Sequence, residues 1–284
     1  MTPAFPYPTL RTVKTYLRRE ETRAKRSLGQ NFLIDRNTAQ RIIKQLGDIA
    51  ALSVIEIGPG LGAFTCLRAN KCRNLTAVEL DSRLAGYLAE TAGTVNVIES
   101  NILDLSPEDL EPSESCLTLG NLPFNISVKI LLWWLQAPVW FSHAYFIFQE
   151  EVADRLVART STSSYGSLTL RVSYKATAKK LFKVPSTVFY PRPEVAGSLV
   201  LLERREQPEV TVTDSGFYFD LISAAFAYRR KTLLNSLRLS KQFGREELNL
   251  KQIITEAGFT ETTRAEQMNA VDFALLSEVL AGFH

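Results

Sequence analysis

The stretch Glu56-Ile57-Gly58-Pro59-Gly60-Leu61-Gly62 joins an apolar run, which predicts a buried strand, to a segment with helical periodicity. Glycines between a strand and a helix permit a tight turn and let a ligand approach the backbone closely. Glu79 ends the next predicted strand, where a carboxylate can bond both hydroxyls of a ribose. The glycines alone are equally typical of an ordinary strand–helix turn, but together with Glu79 they favour a nucleoside-binding site.

On both sides of this turn, short apolar runs alternate with helical segments. This alternation predicts an α/β, Rossmann-like fold with a mostly parallel, doubly wound sheet that binds ligands at the carboxyl ends of its strands. The predicted strands are 54–57, 75–78, 95–98, 116–119 and 144–148, and the predicted helices are 62–70, 82–91, 126–136 and 150–159.

The chain is long enough for more than one domain. We predict a basic N-terminal arm at residues 1–28, the α/β domain at 29–205 and a small α-helical domain at 206–284. The polar stretch 203–209 is the predicted linker.

Other elements are predicted from periodicity and turn residues. Within the arm, a helix with one apolar face is formed by Leu10, Val13, Tyr16 and Leu17. A second helix at 37–46 is capped by Asn37 or Thr38. Residues 167–177 are compatible with a helix and with a strand. The remaining predictions are a hairpin of 181–184 with 198–202, and helices at 215–240, 245–258 and 270–282.

Charge is unevenly distributed along the sequence. The net charge is only +3, yet ten basic residues face three acidic ones between Arg11 and Lys44. A basic arm of this kind suits a polyanion such as RNA. The alternative interpretation of these basic residues is a solvated helical face, and charge alone does not distinguish it from RNA binding.

Composition narrows the class of protein. A hydrophobic content of 45% with 22% charged residues is typical of a soluble globular protein. Three cysteines without CxxC spacing argue against structural disulfides and against a metal site. The longest apolar run, residues 130–135, is too short to span a bilayer, and the start lacks the apolar region of a signal peptide. We therefore expect a cytoplasmic protein without a metal, with an organellar transit segment as the alternative.

The run Asn121-Leu122-Pro123-Phe124 follows another predicted buried strand. The Asn121 amide oxygen and a backbone carbonyl can accept hydrogen bonds from an exocyclic NH2, and the Phe124 ring can stack on a base. Taken alone, Asn121 is a common turn residue and Phe124 a common core residue. Next to a nucleoside site, the run favours chemistry at the amino group of a base.

Four segments of the sequence form a recognisable series. They are Lys-Arg-Ser-Leu-Gly-Gln-Asn-Phe-Leu at 25–33, the glycine turn at 56–62, Asn-Leu-Pro-Phe-Asn-Ile-Ser at 121–127 and Arg-Arg-Lys-Thr-Leu-Leu-Asn-Ser-Leu at 229–237. The glycine turn is similar to motif I of class I S-adenosylmethionine-dependent methyltransferases, and residues 121–124 are similar to their amino-methylating motif. In this order the four segments resemble the ribosomal RNA adenine dimethyltransferase family, and within it the small-subunit enzymes of bacteria (KsgA type). The resemblance extends from about residue 20 to the end of the chain.

The resemblance implies methyl transfer from S-adenosylmethionine to N6 of two adjacent adenosines near the 3′ end of small-subunit rRNA, late in subunit assembly. Its partners are then this rRNA and the pre-ribosomal small subunit, and we expect a monomer. The residues implied to hold the donor are Asn31, Leu33, Gly58, Gly60, Glu79, Asn101 and Asn121. The residues implied at the reacting amine are Asn121, Pro123 and Phe124. The resemblance also implies that residues 206–284 bind RNA, with contacts at Arg229, Arg230 and Lys231. The charge of the N-terminal arm predicts further RNA contacts at Arg23, Lys25 and Arg26. A solvated helix face is the alternative for both groups.

Two positions depart from the family pattern. Asn101 stands where the family has an aspartate that contacts the donor adenine, and its amide oxygen can still accept from the adenine amino group, without charge. Phe124 replaces the usual tyrosine, which keeps the stacking ring and loses only a hydroxyl.

Two other functions are considered. A large-subunit rRNA adenine methyltransferase of the macrolide-resistance type shares several motifs, but residues 121–124 and 229–232 fit the small-subunit enzymes better. A non-catalytic rRNA-binding assembly factor could keep the same fold. The intact glycine turn, Glu79 and Asn121 argue against that loss of catalysis.

Overall fold

The structure is a computed structural model that describes residues 6–25, 28–68, 71–110, 115–244 and 249–283. Its helices are α1 (Leu10–Arg19), α2 (Arg36–Gln45), α3 (Thr65–Arg68), α4 (Ser82–Thr91), α5 (Ser127–Gln136), α6 (Glu150–Leu156), α7 (Ser167–Lys175), α8 (Ser215–Phe226), α9 (Leu233–Arg238), α10 (Leu250–Glu256) and α11 (Ala270–Ala281). Its strands are β1 (Phe32–Leu33), β2 (Ser53–Ile57), β3 (Asn74–Glu79), β4 (Asn96–Glu99), β5 (Cys116–Gly120), β6 (Phe141–Gln149), β7 (Ala176–Val184), β8 (Phe189–Tyr190) and β9 (Gly197–Arg204).

The main sheet has the strand order β4-β3-β2-β5-β6-β9-β7. Strands β4, β3, β2, β5 and β6 are parallel to one another, and β9 is antiparallel to β6. The predicted mostly parallel sheet is therefore confirmed. Strands β2 and β5 are buried along their whole length, as expected for central parallel strands covered on both faces.

The direction of strand addition reverses between β2 and β5. Chain order runs outward from β2 through β3 and β4 on one side, and through β5 and β6 on the other. The register pairs Ile57 with Gly120, so both strands end at the same level. Open sheets of this type bind ligands in the crevice that forms at such a reversal.

The chain divides into two compact units, Met1–Ala153 with Lys179–Arg204, and Asp154–Ala178 with Arg205–His284. The first unit ends at Arg204, one residue before the predicted end of the α/β domain at 205. The prediction differs for residues 154–178, which were assigned to the α/β domain and group instead with the C-terminal helices. The reason is packing, because Tyr165, Leu170 and Tyr174 are buried in the same core as those helices.

The described part of the predicted arm, residues 6–25 and 28, contains helix α1, which packs on the first unit. Helix α1 buries Val13, Tyr16 and Leu17 against residues of the first unit, whereas Leu10, predicted on the same face, is 39% exposed. Its basic side chains, among them Arg11, lie on the exposed side. The helix therefore has a core-facing side and a basic side.

Several local predictions need correction. The cap of α2 is Asp35, not Asn37 or Thr38, and its carboxylate accepts from the Thr38 N–H at 2.7 Å. The ambiguous segment 167–177 is mainly the helix α7, whose apolar side chains face the second core. Residues 69–70 and 245–248, included in two predicted helices, lie outside the described residues.

The predicted helix 215–240 is interrupted. Helix α8 ends at Phe226, and α9 begins at Leu233 because the Thr232 hydroxyl accepts from the Asn235 N–H. Such a cap competes with continuation of the preceding helix. The residues between form an exposed loop.

None of the helices in the described ranges is long and apolar enough to cross a membrane.

Candidate active site

A cavity of about 350 Å³ lies at the carboxyl ends of the parallel strands in the first unit. It is lined by the glycine turn, the ends of β3, β4 and β5, and residues from the N-terminal segment. Eight predicted site residues line it: Asn31, Leu33, Gly58, Gly60, Glu79, Asn101, Asn121 and Pro123. Phe124 is not among the lining residues.

The glycine turn takes the backbone conformation that its sequence predicts. Gly58 and Gly60 have φ angles of 65° and 60°, which L side chains rarely adopt. A Cβ on Gly58 would have no atom within 4 Å, so the space over this residue is open. A Cβ on Gly60 would lie 3.2 Å from the Phe32 ring, which therefore packs directly on the turn.

The Glu79 carboxylate is fixed at the end of β3. One oxygen accepts from the Gly60 N–H and the other from the Asp81 N–H, both at 3.0 Å. Burial raises the pKa of Glu79, and these backbone bonds oppose that effect. Since a carboxylate has about four acceptor positions, both oxygens can still accept from ligand hydroxyls.

Glu56 is a second buried acid at the cavity. It is 2% exposed and accepts from the Thr65 hydroxyl at 2.7 Å. Burial raises the pKa of this carboxyl group to about 8, against the opposing effect of the Thr65 bond. Glu56 was quoted within the glycine motif but was not assigned a site role from sequence.

The Asn121 side chain is oriented by the backbone of a distant loop. Its Nδ2 donates to the Asn31 carbonyl oxygen at 2.8 Å. Among the described residues, no donor is bonded to its Oδ1 atom, so this oxygen can accept from a ligand. The Asn31 side chain donates to the Gly29 carbonyl at 3.1 Å, which stabilises the supporting loop.

The residues that follow Asn121 form a tight turn. The Pro123 carbonyl accepts from the Ile126 N–H at 3.1 Å, which leaves its second lone pair available. The Phe124 ring is half-buried and packs against the core, 3.6 Å from where a Cβ on Gly197 would lie. Phe124 as a whole is only partly buried.

Asn101 lies at the end of β4 and also lines the cavity. Its Oδ1 accepts from the Leu103 N–H at 3.2 Å and so caps a short 3₁₀ turn. This oxygen is the one that the sequence assigned to an adenine amino group. An adenine amino group that bonds to Asn101 Oδ1 would therefore share this oxygen with the Leu103 N–H.

The predicted RNA contacts fall in two places. Arg229, Arg230 and Lys231 lie in the exposed loop between α8 and α9, so neither a helical location nor a solvated helix face is correct. The Arg229 guanidinium donates to the Ser163 carbonyl within the second unit. Arg230 and Lys231 are exposed.

The other predicted contacts precede β1. Arg23 is exposed, and Arg26 lies outside the described residues. Lys25 pairs with Asp81 at 2.9 Å, and Gln30 donates to the same carboxylate at 3.1 Å. Burial tends to raise the pKa of Asp81, but the hydrogen bonds from Lys25 and Gln30 outweigh it and lower that pKa. Lys25 thus links this segment to the start of α4.

Sequence reasoning missed several lining residues, among them Pro8, Leu28, Gln30 and Lys129. Leu28 and Gln30 belong to a quoted motif, so their neighbours gave a signal. Pro8 and Lys129 carry none, because only the folded chain brings them to the cavity. Within the described ranges, no group of three or more His, Cys, Asp or Glu side chains is arranged to hold a metal ion.

Comparison with known proteins identifies relatives along nearly the whole chain. The profile of the family described as "Ribosomal RNA adenine dimethylase" matches residues 21–279. Ribosomal RNA small subunit methyltransferase A from Bacillus cereus (strain AH187) is 37% identical over 265 residues, covering 90% of this chain and 91% of the relative. The protein of the same name from Bacillus anthracis (strain CDC 684 / NRRL 3495) matches equally well.

Two solved structures have a similar fold. A dimethyladenosine transferase from Plasmodium falciparum has a TM-score of 0.72 at 21% identity, covering 89% of this chain and 98% of its own. The 23S rRNA methyltransferase ErmE has a TM-score of 0.63 at 25% identity, covering 88% of this chain and 100% of its own. The first likeness bears on the fold alone.

Proposed function

The chain belongs to the ribosomal RNA adenine dimethylase family, and we propose on that basis that it transfers methyl groups from S-adenosylmethionine to N6 of adenosines in small-subunit rRNA. The expected product is N6,N6-dimethyladenosine at two adjacent positions near the 3′ end of that RNA. The observation that carries the chemistry is the orientation of Asn121, whose amide oxygen is left available beside the cavity. The proposal includes a cytoplasmic, monomeric enzyme that acts on the pre-ribosomal small subunit.

The residues around the cavity fit the methyl donor. Open space over Gly58 lets a ligand lie against the backbone, and Glu79 can accept from two ribose hydroxyls. Asn31 and Leu33 would border its methionine end, and Asn101 its adenine. When bound, S-adenosylmethionine supplies an electrophilic methyl group on a positively charged sulfur.

Residues 121–124 would act on the target amine. The nitrogen lone pair of adenine N6 is delocalised into the ring, so orientation matters more than a strong base. The Asn121 Oδ1 and the Pro123 carbonyl can accept the two amino hydrogens and stabilise positive charge that develops on the nitrogen. Phe124 would stack on the base, a contact worth about 1–3 kcal/mol.

The target adenosine must leave its stack to reach these groups, so a single-stranded or loop adenosine is the expected substrate. Arg230 and Lys231, exposed in the loop after α8, would contact phosphates of the same RNA. We retain residues 206–284 as the proposed RNA-binding region, together with residues 154–178 of the same unit.

The large-subunit alternative is less well supported. ErmE is similar in fold, but the relatives that are 37% identical over 90% of the chain are named for the small subunit. A non-catalytic assembly role would not require the Asn121 amide to be fixed with its oxygen available.

A labelled-donor assay tests the proposal. Under-methylated small subunits, free large-subunit rRNA and DNA are each incubated with the protein, and the labelled nucleotides are mapped. We expect label at N6 of adjacent adenosines in the small-subunit RNA alone. The proposal would be overturned if label appeared only in large-subunit rRNA, or if none of the substrates became labelled.

Asn121→Ala tests the assigned chemistry. We expect the variant to fold and bind the donor product S-adenosylhomocysteine, and to lose at least about 100-fold in kcat, as is typical when a preorganised oxygen at the reacting centre is removed. Asn96→Ala, an exposed position at the start of β4, is the matched control. Turnover near wild type in Asn121→Ala would remove this residue from the mechanism.

A further inference from the structure

We propose that residues 6–20, which precede the part of the chain matched by the family profile, form one wall of the methyl-donor site and retain the bound donor. This inference rests on the proposed function, because it takes the cavity at the glycine turn to be the donor site. The match to the family profile begins at residue 21, so these residues lie before the matched region.

Pro8 is the residue of this segment that reaches the cavity. It is buried and lines the same space as the glycine turn and Glu79. Tyr7, next to it, donates from its hydroxyl to the Leu33 carbonyl at 3.3 Å. Leu33 also lines the cavity, so the segment contacts a donor-site residue directly.

Local hydrogen bonds hold this wall in one conformation. The Thr9 N–H donates to the Tyr7 carbonyl at 3.0 Å and closes a turn around Pro8. The Thr9 hydroxyl accepts from the Thr12 N–H at 3.3 Å and caps α1. The position of Pro8 is therefore coupled to that of the helix that follows.

Helix α1 anchors the wall to the donor site itself. Its buried residues Val13 and Leu17 share a hydrophobic cluster with Phe32, Leu61 and Leu84. All three of these partners also line the cavity. The segment is thus built on residues of the donor site, and it closes one side of the space that the donor would fill.

Calorimetry with S-adenosylhomocysteine tests this arrangement without requiring turnover. The full chain is compared with a variant lacking residues 2–9, which removes Tyr7 and Pro8. A variant lacking residues 2–5 is the matched control, because it keeps both. We expect about ten-fold weaker binding only when residues 2–9 are missing, equivalent to about 1.4 kcal/mol.

A double variant, Tyr7→Phe with Pro8→Gly, tests the same contacts in a chain of full length, in case the shortened chain does not fold. It should weaken S-adenosylhomocysteine binding and raise the donor KM, while the RNA KM stays near wild type and the variant still unfolds in a single cooperative transition. Equal affinity in the full chain, the double variant and the chain lacking residues 2–9 would overturn the inference and leave the proposed function intact. Failure of the full chain itself to bind would overturn the proposed function, and this inference with it.

Discussion

Replacement of Glu56 by glutamine should change how the stability of the first unit depends on pH. Glu56 is buried, and its folded-state pKa is raised by burial to about 8 from an ordinary value of 4.5. A carboxyl group of this kind favours the folded state when it is protonated. Its contribution is fully present below about pH 4.5 and is lost as the pH rises through about 8.

The size of the effect follows from the difference between the two pKa values. Each pH unit between them reduces the free energy of unfolding by about 1.4 kcal/mol, so the full loss is on the order of 5 kcal/mol. Glutamine can still accept from the Thr65 hydroxyl, and its unpartnered NH2 group costs about 1–3 kcal/mol at every pH. The variant is therefore expected to be less stable than wild type in acid and to gain on it as the pH rises.

Urea unfolding between pH 5.5 and 9 measures this difference. All three tryptophans, Trp133, Trp134 and Trp140, lie in the first unit, so their fluorescence follows the unit that contains Glu56. Glu99→Gln is the control, since it makes the same change at an exposed carboxylate at the end of β4. Parallel pH profiles for wild type and Glu56→Gln would refute the raised pKa.

Two further predictions concern the donor and the RNA. Asn101→Asp provides a second oxygen beside the one that accepts from Leu103, so the affinity for S-adenosylhomocysteine should rise about ten-fold by calorimetry; unchanged or weaker binding would place the adenine away from residue 101. Replacing Arg230 and Lys231 together by alanine should weaken rRNA binding and lower the salt-dependence slope by about 2 in filter binding, with donor affinity unchanged; an unaltered slope would remove these two side chains from the RNA interface.

The sequence predicted the parallel sheet well because its signals are local. A buried apolar run such as Val54–Ile57 and the glycines after it determine strand and turn within a few residues. The start of α2 was misplaced because several adjacent residues can cap a helix, and only the folded geometry selects Asp35. The break before α9 was missed for a similar reason, since apolar periodicity continues across the Thr232 cap.

Long-range placement could not be obtained from the sequence in the same way. Residues 154–178 precede β9 in the chain yet pack with the C-terminal helices, and Pro8 lines the cavity although it lies far from the other lining residues in sequence. Neither position carries a motif. Glu56 illustrates a third case, because its motif was visible but the raised pKa depends on complete burial and on Thr65.

Contact between two loops explains why the first and third motifs of the sequence belong together. A Cβ on Gly29 would lie 2.8 Å from Asn125 Oδ1 and 2.9 Å from Pro123 Cβ, so only a glycine lets the loop before β1 approach this closely. That approach brings the Asn31 carbonyl to the Asn121 amide, 90 residues away in sequence. The loop that borders the cavity therefore also sets which amide atom of Asn121 is left available to accept a hydrogen bond. Because this one loop both borders the cavity and orients Asn121, a shift of residues 29–31 should disturb donor binding and amine orientation together.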